Sequence, residues 1–199
     1  MSPGTTVNGM SPRPYTMTAR AAAADATRDR ILDATIAIAL ETERLDFALD
    51  QVAARAGRSV QTILRRFGSR DGLIEEAVAH GSARVAAERR PAEPGDIPAA
   101  LGLLVDHYEQ WGRFMLRLLA RDDDQDARGI TAGGQLLHRE WVTTVFAPDS
   151  PELTDLLVVA TDLYTWKLLR IDRGLDRHDV LERITALTDA VLAAQKRSA

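Results

Sequence analysis

Apolar side chains recur along this chain at intervals of three and four residues, the repeat of helices that each bury one face. Ile31, Ala34, Thr35 and Ile38 predict a first helix over about 25–41, with Leu45 and Phe47 plugging the core from the following turn. Asp46 is a candidate cap for a second helix over about 48–56, whose small inward face is Val52, Ala53 and Ala56. A third spans about 59–67 with Ile63 and Phe67 inward, and a longer fourth spans about 69–89 with Leu73, Ile74, Ala77, Val78 and Val85 inward. Pro91, Pro94, Gly95 and Pro98 interrupt the pattern. It resumes over about 97–120, breaks at Gly129, and resumes again from Gly133–Gly134 to about Phe146. Pro151 suits the first turn of a helix over about 151–172, which Gly174 stops, and a last helix covers about 177–195. Strand-like alternation is scarce, so the expected fold class is all-α with about nine helices.

The last two helices are apolar on more than one side. Val180, Ile184, Leu187, Val191 and Ala194 are spaced 4, 3, 4, 3, a heptad-like seam. An apolar surface wider than one stripe needs a second cover, so a homodimer interface is expected at Leu156, Leu163, Val180, Ile184, Leu187 and Val191. The alternative is that both helices only cover the protein's own core.

Charge changes the picture most between Gln51 and Arg70. The whole chain carries formal charge -4, yet this segment holds Arg55, Arg58, Arg65, Arg66 and Arg70 and no acid. A local positive excess in an acidic protein suits contact with a polyanion. The same segment has the grammar of a helix-turn-helix. Gly57 is placed to end one helix in the left-handed region, Ser59 to cap the next, Gly68 to end it and Ser69 to cap the fourth. In such a motif the second helix lies in the DNA major groove.

Composition narrows the remaining classes. There is no cysteine, which excludes disulfides and thiol catalysis. The absence of a long apolar run argues against a membrane partner, and the first residues lack the pattern of a signal peptide, so a cytoplasmic location is expected. Residues 1–24, with three prolines and no apolar period, read as a disordered tail.

From Thr27 to Val78 the chain reads TRDRILDATIAIALETERLDFALDQVAARAGRSVQTILRRFGSRDGLIEEAV. This quarter of the chain resembles the tetracycline-repressor (TetR) family of bacterial regulators in its RILDAT, VAARAG and FGSRDGL stretches and in the serine opening the third helix. The resemblance implies a DNA-binding domain over 25–70 and a ligand-binding and dimerisation domain over 71–199. It implies a homodimer on a palindromic double-stranded operator, with a small-molecule effector altering DNA affinity, most simply as a repressor. Carried over by position, the DNA-facing residues are Arg58, Ser59, Val60, Gln61, Leu64, Arg65 and Arg66, with Arg70 opening the fourth helix. Thr62 joins them as an ambiguous neighbour. The chain departs from the family where an aromatic often stands at Leu64 and Arg66, and where Phe47-Ala48-Leu49 replaces a Thr or Ser.

The chemistry of these positions is readable on its own. Gln61 suits paired hydrogen bonds to adenine, an arginine suits guanine, and Val60 suits a thymine methyl. Arg58, Ser59 and Arg70 suit phosphate. Arg65 and Arg70 are the arginines expected to touch DNA, whereas Arg55 falls on another face.

Aromatic residues cluster after residue 100. Tyr108, Trp111, Met115, His138, Trp141 and Tyr164 are the expected lining of a ligand pocket, with His107 and Asp162 as further polar partners. The rival is an all-helical small-molecule-binding protein or enzyme that does not bind DNA. No nucleophile–base pair, phosphate loop, HExxH or paired Glu-x-x-His spacing is present, so neither catalysis nor a metal or other cofactor is expected.

Overall fold

The structure is a computed structural model and describes residues 15–90, 95–121 and 125–198. Among them it is wholly helical. In order come α1 (Tyr15–Thr42), α2 (Leu49–Ala56), α3 (Val60–Phe67), α4 (Arg70–Glu88), α5 (Ile97–Leu119), α6 (Gln125–Phe146), α7 (Pro151–Ala160), α8 (Leu163–Lys167) and α9 (Arg177–Ser198). Residues Leu168–Asp172 continue α8 as one π-helical turn. No described helix is long and apolar enough to cross a membrane.

Two apolar centres organise these helices. In the first, Ile31 and Leu32 of α1 meet Val52 of α2, Ile63 and Phe67 of α3, and Leu73 and Ile74 of α4. In the second, Leu101, Leu104 and Val105 of α5 meet Val142 of α6, Leu157 of α7, Trp166 of α8, and Val180 and Ile184 of α9. The two join where α5 and α6 pack against α4, with Trp111 and Phe114 of α5 completing the first centre.

Several boundaries differ from the sequence reading for identifiable reasons. The helix α1 begins at Tyr15, ten residues before the expected start. The run Ala21–Ala24 carries strong helix propensity and meets no breaker, so the helix extends through it. The rest of the expected tail, residues 1–14, lies outside the described residues. Glycines 129, 133 and 134 do not divide α6. A Cβ on Gly134 would stand 3.4 Å from the Met115 methyl, so the close approach of α5 to α6 stabilises the helix against its own low propensity. The expected helix over 151–172 is broken at Thr161, because Asp162 Oδ1 accepts from the Tyr164 N–H at 2.8 Å and caps a new helix.

The seam expected at the dimer interface divides in two. Leu163, Val180 and Ile184 are buried within the protein's own core, and Val191 is half-buried against it. Their assignment to an exposed seam is corrected by the packing of α9 on α5 and α7, which takes the stripe Val180, Ile184, Thr188 inward. Leu156 and Leu187 do face outward, joined by Val159 on α7.

Candidate nucleic-acid interface and ligand cavity

The turn between α2 and α3 forms as its residue types dictate. Gly57 adopts φ 62°, ψ 43°, and its N–H returns to carbonyls of α2. Ser59 Oγ accepts from the Thr62 N–H at 3.2 Å and shares a 2.9 Å hydrogen bond with Thr62 Oγ1. Ser69 likewise caps α4 through the Gly72 N–H at 3.0 Å. Asp46 does not cap α2. It pairs with Arg44, and the Gln51 side chain instead accepts from the Ala48 N–H at 3.1 Å. That pairing holds the Asp46 carboxyl below the usual range.

Ile63 and Phe67 anchor α3 inward, so the opposite face carries Gln61, Leu64 and Arg65 into solvent. Val60 is half-buried against the first core, and Thr62 is half-buried beside its Ser59 partner. The arginines separate sharply. Arg55 reaches back to Glu41 through two hydrogen bonds of 2.6 and 2.5 Å. Arg66 approaches Asp25 of α1 at 3.9 Å. Arg58 donates to the Gly57 carbonyl at 2.9 Å and reaches Thr27 Oγ1 at 3.4 Å.

Arg70 is not the open phosphate clamp that its position suggested. Its Nε donates to the Phe47 carbonyl at 3.2 Å, its Nη2 to the Leu45 carbonyl, and its guanidinium carbon stands 5.3 Å from the Phe47 ring centroid. The residue ties the loop before α2 to the start of α4. Arg65 is the arginine of the five that is given no polar partner among the described residues.

The second feature is a cavity of about 210 Å3 between α1, α4, α5, α6 and the α7–α8 turn. Tyr108, Trp111, Met115, His138 and Tyr164 line it, as do His107 and Asp162. Trp141 stands behind the wall. Its indole N–H donates to the Arg89 carbonyl at 3.1 Å, and its ring stacks on His138 with centroids 5.7 Å apart.

Arg89, which the sequence reading passed over, is 5 % exposed and also lines the cavity. It continues the inward stripe Ile74, Val78, Gly81, Val85, so helical register was the signal that would have found it. Its guanidinium carbon lies 4.7 Å from the Trp141 ring centroid. Its Nη2 lies 3.0 Å from His138 Nδ1. Arginine only donates, so His138 Nδ1 accepts and the imidazole hydrogen sits on Nε2. Nε2 then donates to Thr161 Oγ1 at 3.1 Å, which donates to the Leu157 carbonyl at 2.7 Å. Tyr108 Oη closes the network by donating to the Thr161 carbonyl at 2.9 Å.

Burial, reinforced by the positive charge of Arg89, pushes His107 down to about 3 and His138 down to about 4. Burial also lowers Arg89 and raises the Tyr108 hydroxyl. Both histidines are therefore neutral near pH 7. Below their ordinary value of 6.5 the unfolded chain takes up protons that the folded chain refuses. Their contribution to stability is whole above that pH and is lost as pH falls toward 4. The slope approaches about 1.4 kcal/mol per pH unit for each histidine. Urea midpoints should drop between neutrality and about pH 5; equal midpoints would contradict the buried neutral pair.

No family model and no curated protein sequence matches the chain. Among solved structures, a protein from Mesorhizobium loti MAFF303099, provisionally named a TetR-family transcriptional regulator, superimposes with a TM-score of 0.60. The match covers 85 % of this chain and 96 % of that one at 14 % sequence identity. The chain has an all-helical fold similar to that regulator's.

Proposed function

We propose that the protein is a sequence-specific DNA-binding transcriptional regulator, acting in the cytoplasm as a homodimer on a palindromic operator and not as an enzyme. The observation that carries this reading is the capped α2–α3 hairpin, which turns Gln61, Leu64 and Arg65 outward together on one short helix. Gln61 would read adenine and Arg65 guanine, while Ser59, Val60 and Thr62 meet the groove edge beside them. Arg66 has a 3.9 Å contact with Asp25, and Arg58 a hydrogen bond to the neighbouring Gly57 carbonyl and a longer one to Thr27, to exchange for phosphate. The similarity to a TetR-type fold supports the reading. Leu156, Val159 and Leu187 supply outward apolar surface for the second copy.

Control by a ligand follows from continuity. Helix α4 starts at Arg70, which grips the loop before α2, and ends beside Arg89 in the cavity wall. A small molecule that displaces the cavity end of α4 would move the hairpin at its other end. Two recognition helices must meet grooves about 34–36 Å apart, so a small displacement releases DNA and gives a repressor. The molecule must bind the two arrangements with different affinity, or nothing shifts.

The experiment is selection of genomic fragments on the purified protein, then gel shifts on the recovered site at several salt concentrations, with the mass of the free protein measured by sedimentation. A dimer and a steep loss of affinity with salt are expected. Gln61→Ala and Arg65→Ala should each cost about 1–3 kcal/mol of operator binding and leave the thermal melt unchanged. A helical small-molecule-binding protein or enzyme without DNA affinity would retain nothing above background, and that result would end this reading.

A further inference from the structure

The cavity carries a chemical asymmetry that specifies what enters it. Its walls are mostly apolar, with Ile36, Ile74, Val78, Phe114, Leu119 and Leu137 among them. Arg89 contributes a guanidinium that is almost wholly withdrawn from water. A buried cation is retained when an anion or a full set of acceptors meets it. Neither is present among the described residues. The neutral His138 takes one donor and the Trp141 ring takes one face, while Arg89 Nε has no acceptor.

Two more polar atoms of cavity-lining residues are shut off from water without a partner, namely Trp111 Nε1 and His107 Nδ1. Both residues line the same cavity, and their rings stack with centroids 6.2 Å apart. Arg89 lies close enough to His107 and His138 for its charge to act on both. Asp162 is the acid that also lines the cavity, but its carboxylate is engaged as the cap of α8 and makes no ion pair with Arg89. Arg89, Trp111 and His107, each with an unmet polar atom, are thus among the residues that border an otherwise apolar space.

We propose that this cavity binds an apolar monocarboxylate, whose carboxylate accepts from Arg89 and the Trp111 indole while its hydrocarbon body fills the space between α1, α4 and α6. The inference rests on reading the cavity as the effector site and names that effector's chemistry. An ionised carboxylate presents several acceptor sites on two oxygens and matches the planar donor fork of a guanidinium. An amine would meet Arg89 with like charge. An ester would leave the cation unneutralised. The carboxylate would also compete with His138 Nδ1 for Arg89, at the residue that ends α4, so the head group acts on the helix leading to the hairpin.

The test uses the full-length protein without DNA near neutral pH, titrated by calorimetry with octanoate, decanoate and 2-naphthoate. Methyl octanoate and octylamine serve as the neutral and cationic counterparts of octanoate. At least one acid should bind, and octanoate should bind about tenfold or more tightly than its ester, with no binding of the amine. Arg89→Gln should remove about tenfold or more of the acid affinity and leave the ester's unchanged. If that variant melts at room temperature, Trp111→Phe, which removes the donor N–H together with the pyrrole part of the indole, should weaken the acid more than the ester. Binding of none of the three acids, equal binding of octanoate and its ester, or undiminished acid affinity in a folded Arg89→Gln protein overturns the proposal. Acid-selective binding by a protein that retains no DNA would instead sink the regulator reading and leave the cavity assignment intact.

Discussion

Replacing Arg70 with Met should destabilise the protein by about 2 kcal/mol, a larger loss than any other arginine of the hairpin produces. The guanidinium donates to the carbonyls of Leu45 and Phe47 and lies over the Phe47 ring. Hydrogen bonds from a charged donor contribute about 1.5–3 kcal/mol, and removing this one leaves two loop carbonyls without their partner. The figure is set near the middle of that range because the side chain remains 36 % exposed and water recovers part of the loss. Met retains the aliphatic stem, so the change isolates the polar contacts. Chemical denaturation of Arg70→Met beside Arg65→Ala measures the difference. If both lie within error of the parent protein, Arg70 is not the tie between the α1–α2 loop and α4. On the proposed function, a loss of operator binding in Arg70→Met that accompanies lowered stability would report a loosened hairpin, and a loss in Arg65→Ala at unchanged stability would report a missing base contact.

Introducing one methyl group at Gly112 should cost about 1–3 kcal/mol. A Cβ there would stand 2.6 and 2.8 Å from two carbons of the Trp166 ring, closer than packed atoms approach. Trp166 cannot retreat easily. It is 2 % exposed, and its indole N–H is held by Glu109 at 3.0 Å, which also accepts from Arg170 at 2.9 Å. The glycine is therefore the condition for α5 to lie flat against α8. A double-mutant cycle with Trp166→Leu checks the cause, because the smaller side chain removes the collision. Gly112→Ala should be costly in the parent and close to neutral in the Trp166→Leu background. Equal costs in both backgrounds would show that the methyl group disturbs something other than the indole. Both substitutions lie away from the Gln61–Arg65 face, so operator affinity of the folded fraction should be retained.

These two cases show where sequence reading stops. Arg70 was expected to face DNA because it opens a helix after a turn serine, and that much was true of its position. The two carbonyls that claim it lie 23 and 25 residues earlier, a separation with no local signature. Arg55 and Arg66 behave alike, since the segment from Gln51 to Arg70 contains no acid but α1 brings Glu41 and Asp25 against it. The positive excess is a property of the string more than of the folded surface, where Arg55 and Arg66 are exposed but face acids of α1 and Arg65 makes no polar contact among the described residues. Of the six expected pocket residues, five line the cavity, which lies between the two apolar centres where α5, α6 and the α7–α8 turn face α1 and α4. Trp141 was misplaced because its ring supports Arg89 from behind.

The order of residues alone determined the helical hairpin: its stop at Gly57, its cap at Ser59, the inward pair Ile63 and Phe67, and the restart at Ser69. Each of these depends on contacts within about one helical turn, where residue type and spacing are sufficient. Tertiary structure decided which cations are paired, that Val180 and Ile184 turn inward, and that Arg89 enters a cavity. Those outcomes depend on which distant helix arrives at a given face, because ion pairing and burial are settled by whatever surface lies opposite.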